Sequence, residues 1–176
     1  MLGAITVNEA AWPRVKAAHG ELGHSAGPDD VYLAQRGLRT MAVRLARHWE
    51  TGIRLAEWVA RQPEVERVLY PALPGDPGHA LWKRDFTGAS GLFGVVLKPI
   101  AAKAFAALVD GLELFGLGAS WGGYESLVMP THPEELRSVT KWTSPGPSFR
   151  IHAGLEHPDD LTADLEAGFA RLRAAL

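Results

Sequence analysis

The chain has 176 residues, of which 47% are hydrophobic and 22% charged, a balance that is typical of one globular domain and excludes an intrinsically disordered chain. Its formal net charge of −2, with acidic and basic residues interspersed, argues against nucleic acid or an anionic membrane as a partner. The absence of cysteine excludes disulfides and thiolate-metal sites, and no apolar run approaches the roughly 20 residues of a membrane-spanning helix. We therefore expect a cytoplasmic protein.

Helices dominate the first third of the predicted structure. Residues 1–7 are apolar and β-branched like an interior strand, which suggests that the chain begins inside a larger fold. Asn8 predicts the start of a helix ending near His19, and a short helix follows over 29–37. The longest helix is predicted over 38–61. Its apolar face is expected to consist of Leu38, Met41, Leu45, Trp49, Ile53, Ala56 and Ala60.

The remaining residues alternate between predicted strands and helices. Strands are expected at 65–70, 92–97 and 149–153, and helices at 79–85, 99–110, 133–139 and from Pro158 onwards. The run 92–97 is continuously apolar, which predicts a strand that is covered on both faces. This alternation predicts an α/β or α+β fold.

The stretch from Leu114 to His132 fits neither a plain strand nor an amphipathic helix. It contains four glycines, which allow a positive φ or a close approach of the backbone to a ligand. Ser120 and Trp121 would offer a hydroxyl beside a flat apolar wall. Composition leaves two interpretations open here, a tight turn between core strands or a surface that faces a ligand.

Arg150 is the most specific candidate for binding. It lies between Phe149 and Ile151 in an apolar strand, so alternation places its side chain on the opposite face from both. Spacing alone favours a solvent-facing residue. The functional alternative is a permanently charged, planar guanidinium that binds a substrate carboxylate through two parallel hydrogen bonds.

Other kinds of site receive little support from the motifs. A serine hydrolase would require Gly-x-Ser-x-Gly at a strand-to-helix turn, which Ala-Ser-Trp-Gly-Gly (119–123) matches only in composition. A phosphate loop would require Gly-Lys-Ser/Thr, whereas Tyr-Glu-Ser follows these glycines. Metal binding is disfavoured because the histidines show no i, i+4 pairing and no His-Glu-x-x-His motif. These histidines are His19, His24, His48, His79, His132, His152 and His157.

Five segments resemble the cystathionine β-lyase branch of the pyridoxal-phosphate-dependent Cys/Met-metabolism (trans-sulfuration) family. The most specific are Ala-Ser-Trp-Gly-Gly-Tyr-Glu-Ser-Leu (119–127) and Phe-Arg-Ile-His-Ala-Gly-Leu-Glu-His-Pro-Asp-Asp-Leu (149–161). Residues 1–14, Arg-Gly-Leu-Arg-Thr (36–40) and Trp-Lys-Arg-Asp-Phe-Thr-Gly (82–88) match the same family. The resemblance therefore runs along the whole chain, and the Trp after Ser120 favours the β-lyase branch.

The resemblance implies roles for five residues. Arg150 would bind the substrate α-carboxylate, Ser120 would contact the same carboxylate, and Trp121 would line the pocket and favour β- over γ-elimination. Tyr124 and Glu125 would be structural and hold the loop.

The resemblance also implies that the chain is the C-terminal portion of a fold type I enzyme related to aspartate aminotransferase, with helices on a small, mainly antiparallel sheet. Residues 1–61 would end the cofactor-binding domain and include a connecting helix, and 62–176 would form the C-terminal α/β domain. The complete enzyme would be a homo-oligomer (a homotetramer) that uses pyridoxal 5'-phosphate to convert cystathionine to homocysteine, pyruvate and ammonia in methionine biosynthesis.

The chain departs from the family pattern in its lysines. None lies in the motif of the family's Schiff-base lysine, which is expected upstream of residue 1, so this chain alone is expected to be inactive. The lysines are Lys16, Lys83, Lys98, Lys103 and Lys141. Two alternatives stay open: a fragment of a related γ-synthase, γ-lyase or sulfhydrylase, and a non-catalytic module that binds a carboxylate or pairs with a lyase.

Overall fold

The structure is a computed structural model that describes residues 2–176. In chain order its elements are α1 (Trp12–Glu21), α2 (Pro28–Arg39), α3 (Met41–Ala60), β1 (Val65–Leu69), α4 (His79–Asp85), β2 (Leu92–Leu97), α5 (Ala102–Val109), β3 (Gly116–Leu117), β4 (Leu127–Thr131), α6 (Pro133–Leu136), β5 (Ser148–His152) and α7 (Pro158–Ala174). The chain divides into two compact units, one that ends at Val43 and one that spans Arg44–Leu176.

The unit that ends at Val43 is helical. The side chain of Asn8 accepts a hydrogen bond from the backbone N–H of Ala11 at 2.9 Å, so it caps the turn that leads into α1. Helix α2 is longer than predicted and continues through Gly37. The strand predicted over 1–7 is wrong for the described residues 2–7, which have no regular structure. A strand requires a hydrogen-bonded neighbour, and no strand of the described chain pairs with this segment.

The second unit is built on a five-stranded sheet with the strand order β1-β2-β5-β4-β3. Three of its pairings are antiparallel, and the edge pair of β3 and β4 is parallel. This confirms the expected small, mainly antiparallel sheet. Strands β1, β2 and β5 lie within a residue of their predicted bounds, whereas β3 and β4 were not predicted.

One buried core joins the sheet to α5, α7 and the second half of α3. The stripe predicted for the last helix is buried at Leu161, Leu165 and Phe169, while Leu176 is exposed. The last helix therefore packs as its periodicity predicts, except at its C-terminal end.

The buried face of α3 differs from the predicted one. It consists of His48, Thr51, Gly52, Leu55, Ala56 and Val59. Small side chains there allow α3 to approach the end of the sheet, where Gly91 lies against the backbone of His48. The predicted face is correct at Ala56, and Ile53 packs against the core, but the rest of it is displaced because apolar periodicity alone cannot choose between two adjacent stripes.

The predicted domain boundary at 61/62 remains a prediction. The two compact units divide before Arg44, because the second half of α3 is buried with the sheet. Among the described residues, no helix combines the length and the apolar character that crossing a membrane requires.

Candidate functional site

Arg150 lies at the centre of the sheet, where β5 pairs with Gly94 of β2 and Met129 of β4. Its neighbours in the strand are buried, whereas its own side chain is half-buried. The guanidinium Nη2 donates to the carbonyl oxygens of Ala119 at 2.8 Å and Ser120 at 3.1 Å, and contacts that of Gly118 at 3.4 Å. A charged donor group on the sheet is thus aimed at the Gly-rich segment.

Trp121 lies against the same guanidinium. The Cζ atom of Arg150 is 5.3 Å from the centroid of the indole ring, a distance that is typical of a cation–π contact. The side chains of Ser120 and Trp121 are exposed. The structure therefore brings the three predicted site residues, Ser120, Trp121 and Arg150, together.

His152 holds the next part of the same loop. It lies two residues after Arg150 in β5 and therefore on the same face of the strand. The backbone N–H of Gly122 donates to its Nε2 atom at 3.1 Å, and the carbonyl of Gly123 lies 3.3 Å from that atom. Gly122 has a φ of 81°, in the left-handed region that favours glycine. This turn is therefore fixed by both backbone conformation and the imidazole.

Glu156 anchors the end of the loop. Its two carboxylate oxygens accept from the backbone N–H and the hydroxyl of the buried Ser126, each at 2.8 Å. The Ser126 hydroxyl oxygen in turn accepts from the N–H of Gly154 at 2.8 Å. Tyr124 takes part through its carbonyl, which accepts from the N–H of Leu155 at 2.8 Å. The segment between β3 and β4 is thus held from β5 and from the turn that follows it.

Comparison with known proteins assigns the chain to a family. The family model of the Cys/Met metabolism PLP-dependent enzymes matches residues 1–170. The chain belongs to this family. It is 47% identical to a putative cystathionine beta-lyase of Rhizobium johnstonii, over 99% of this chain and 45% of the relative. It is 44% identical to cystathionine beta-lyase MetC of Escherichia coli K12, over 98% of this chain and 45% of the relative.

A solved structure supports the fold assignment. Cystathionine gamma synthase from Xanthomonas oryzae pv. oryzae, in complex with aminoacrylate and cysteine, matches with a TM-score of 0.83 and 34% identity. The match covers 96% of this chain and 45% of that one. The α/β architecture expected for a fold type I enzyme is confirmed. The chain spans less than half the length of the relatives that it matches.

The family's cofactor is pyridoxal phosphate, but the lysines here do not fit a covalent site for it beside Arg150. All five are exposed. Lys98 donates to the carbonyl of Pro63, and Lys16 lies over the ring of Trp12. A groove of about 540 Å³ beside Arg150 has no lysine in its lining. Within the described chain, the site is therefore a side-chain and backbone surface without the nucleophilic amine.

Sequence reasoning missed the two residues that fix the loop, His152 and Glu156. Alternation could have placed His152 on the face of Arg150, but nothing in the spacing indicated that it contacts Gly122. The structural role expected of Tyr124 and Glu125 stays a prediction: both side chains are exposed, and Tyr124 contributes its carbonyl, which accepts from the N–H of Leu155. The carboxylate that holds the loop is that of Glu156, which accepts from both the N–H and the hydroxyl of the buried Ser126.

Two of the histidines, His48 and His152, form a buried pair. The rings of His48 and His152 are stacked, with centroids 5.0 Å apart, and both residues are buried. Burial lowers the pKa of His152 below its usual value, and nearby His48 and Arg150 act in the same direction. His132, Glu134 and Glu135 could converge on a cation, but all three are exposed and no buried group joins them, so they support no site.

Replacing Glu156 with alanine is expected to lower the free energy of unfolding by about 2–3 kcal/mol, because the N–H and hydroxyl of Ser126 would remain buried without their acceptor. Glu156→Gln retains one carbonyl oxygen and should cost roughly half as much. Urea unfolding of both variants tests this, with Glu57→Ala as the control on an exposed face of α3. A glutamine variant as stable as wild type would contradict the role of the second carboxylate oxygen, and equal losses for the two variants would contradict an independent contribution of the oxygen that glutamine retains.

Proposed function

We propose that this chain is the C-terminal portion of a pyridoxal-phosphate-dependent carbon-sulfur β-lyase acting on cystathionine, and that it supplies the surface that binds the substrate α-carboxylate. The observation that carries the proposal is the placement of the Arg150 guanidinium against Ser120 and Trp121. Similarity to cystathionine beta-lyases along nearly the whole chain supports the reaction class. We further propose that residues 1–61 end the cofactor-binding domain.

The residues of this chain would bind and orient the substrate. Arg150 contacts backbone carbonyls through Nη2, and a carboxylate is a stronger acceptor for the same fork of N–H groups. Ser120 would add a hydroxyl donor to the carboxylate. Trp121 lies over the guanidinium and would limit the access of water, which strengthens the ionic contact. When bound in the complete enzyme, the cofactor supplies the electron sink for cleavage of the carbon-sulfur bond.

A chimera tests the proposal. The N-terminal portion of E. coli MetC that this chain does not match would be joined to the present 176 residues, and pyruvate release from cystathionine would be measured with added pyridoxal phosphate. We expect turnover by the chimera and none by the 176-residue chain alone. Pyruvate release by the chain alone above a cofactor-only blank would overturn the proposal, as would a folded, cofactor-loaded chimera that forms no pyruvate.

The products distinguish the alternatives. A γ-lyase would release cysteine and 2-oxobutyrate from cystathionine, whereas the β-lyase releases pyruvate, so chromatography of the oxo acids separates them. The similarity to the X. oryzae cystathionine gamma synthase is the reason to compare these products.

We also propose that the complete enzyme is cytoplasmic and forms a homo-oligomer. Light scattering of the chimera would test the oligomeric state. Co-purification of the chain with a full-length lyase would instead favour a lyase-pairing module.

A further inference from the structure

Two successive side chains on one face of β5 hold the loop between β3 and β4. Arg150 contacts the carbonyls of residues 118–120, and His152 contacts Gly122 and Gly123. Trp121 lies between these two sets of contacts. We propose that His152 is a positioning residue that keeps Trp121 over Arg150, and that it does so only as a neutral imidazole.

The tautomers of the buried pair follow from their hydrogen bonds. His48 Nδ1 lies 2.8 Å from the carbonyl oxygen of Ala153, so Nδ1 carries the proton. The N–H of Gly122 donates to His152 Nε2, so that nitrogen presents its lone pair and Nδ1 carries the proton. His48 Nε2 and His152 Nδ1 are both buried and, within the described chain, have no hydrogen-bond partner.

This geometry makes the loop contact depend on charge. A second proton on His152 would occupy Nε2 and convert the acceptor of the Gly122 N–H into a donor, so that two N–H groups would face each other. The new donor could still reach the carbonyl of Gly123, which would shift the contact rather than preserve it. Neutral His152 is therefore the form that fixes Gly122 as the structure shows it.

The charged groups around His152 differ in their effect on its pKa. On α3, His48 is stacked on the ring and Arg44 contacts the carbonyl of Gly122 at 3.5 Å; on β5 itself lies Arg150. His48 and Arg150 lower the pKa of His152, whereas the carbonyl of Gly123 and the carboxylate of Glu156, in the turn before α7, raise it. Burial is the largest influence and lowers the pKa of His152. The β2 and β4 residues paired with His152, Leu92 and Leu127, carry no charge.

The stability that His152 contributes falls as the pH falls. Because the folded-state pKa of His152 lies below the unfolded value of about 6.5, its contribution to stability is complete above that value. The contribution is lost as the pH falls from about 6.5 through the folded-state pKa. The loop around Gly122 should loosen only as the pH falls through the folded-state pKa, because folded His152 takes up its second proton there.

Amide exchange of the isotope-labelled 176-residue chain tests the inference. Loss of the Gly122 hydrogen bond in His152→Leu should reduce protection of that amide about tenfold relative to wild type. His152→Gln offers an amide oxygen that does not titrate, so it should restore the protection and abolish its decline at low pH. His132→Leu, at an exposed histidine, is the matched control and should change neither.

Two results of the exchange experiment would overturn the proposal. Unchanged protection of Gly122 in a folded His152→Leu variant would overturn the positioning role. If that variant does not fold, the comparison of wild type with His152→Gln decides: a decline at low pH that persists in the glutamine variant would overturn it equally. The effect of this positioning role on substrate binding rests on the carboxylate site proposed above. In the chimera, His152→Leu should raise KM more than it lowers kcat. An inactive wild-type chimera would remove only that consequence, because the exchange of Gly122 is measured without substrate.

Discussion

Gly154→Ala is expected to lower the free energy of unfolding by about 3 kcal/mol or more, a large effect for a single methyl group. A Cβ atom at this position would overlap the carbonyl oxygen of Tyr124 and lie 2.5 Å from a carboxylate oxygen of Glu156 and 2.6 Å from the backbone of Glu125. Two of these three contacts are to backbone, which cannot move away as a long side chain can. The N–H of Gly154 also donates to Ser126, so a shift of the turn would break that bond as well.

Urea unfolding monitored by circular dichroism would measure this loss. Gly75→Ala is the matched control, since a Cβ there would meet nothing within 4 Å, and it should leave stability unchanged or slightly raised. A stable Gly154→Ala protein with an unchanged midpoint would show that the turn after β5 adapts and does not clamp the end of the loop.

The elements that sequence predicted well are those in which periodicity and end signals agree. Strands β2 and β5 are short apolar runs with turn residues on both sides, and α7 begins with Pro-Asp-Asp and carries a regular apolar stripe. Arg150 was placed on the correct face by simple alternation. Its association with Ser120 and Trp121, however, came from resemblance to a family, because residues 30 positions apart give no local signal of contact.

What sequence missed depends on partners that are distant along the chain. Strand β3 has two residues, too few for a pattern, and exists because it pairs with β4. The loop after β3 is fixed by side chains of His152 and Glu156, whose targets are backbone groups that composition does not reveal. The face of α3 was misassigned because a large apolar stripe outweighed the smaller residues that allow close packing. In each case tertiary contacts decided between locally equivalent choices.

Arg150→Lys in the chimera is expected to lower kcat/KM for cystathionine by a factor on the order of 30 to 1000, equivalent to roughly 2–4 kcal/mol. Lysine keeps the positive charge, but it is a point donor that cannot form two parallel hydrogen bonds with one carboxylate. It would also lose the contacts to the carbonyls of Ala119 and Ser120 and the planar contact with Trp121. Most of the change should appear in KM, because the carboxylate is bound in both ground and transition states.

Two controls separate substrate binding from loop structure. Arg61→Lys, at an exposed position just after α3, makes the same chemical change away from the site and should leave kcat/KM unaltered. Gly122 amide protection in the 176-residue Arg150→Lys chain reports whether the loop has also loosened: if protection is retained, the kinetic loss belongs to the carboxylate contact. Wild-type kcat/KM in Arg150→Lys would show that charge alone suffices, and the guanidinium would then serve the loop and not the substrate. The fork geometry predicts the opposite, since the three N–H bonds of an ammonium diverge from one nitrogen and cannot match the two parallel bonds that a guanidinium makes to a carboxylate.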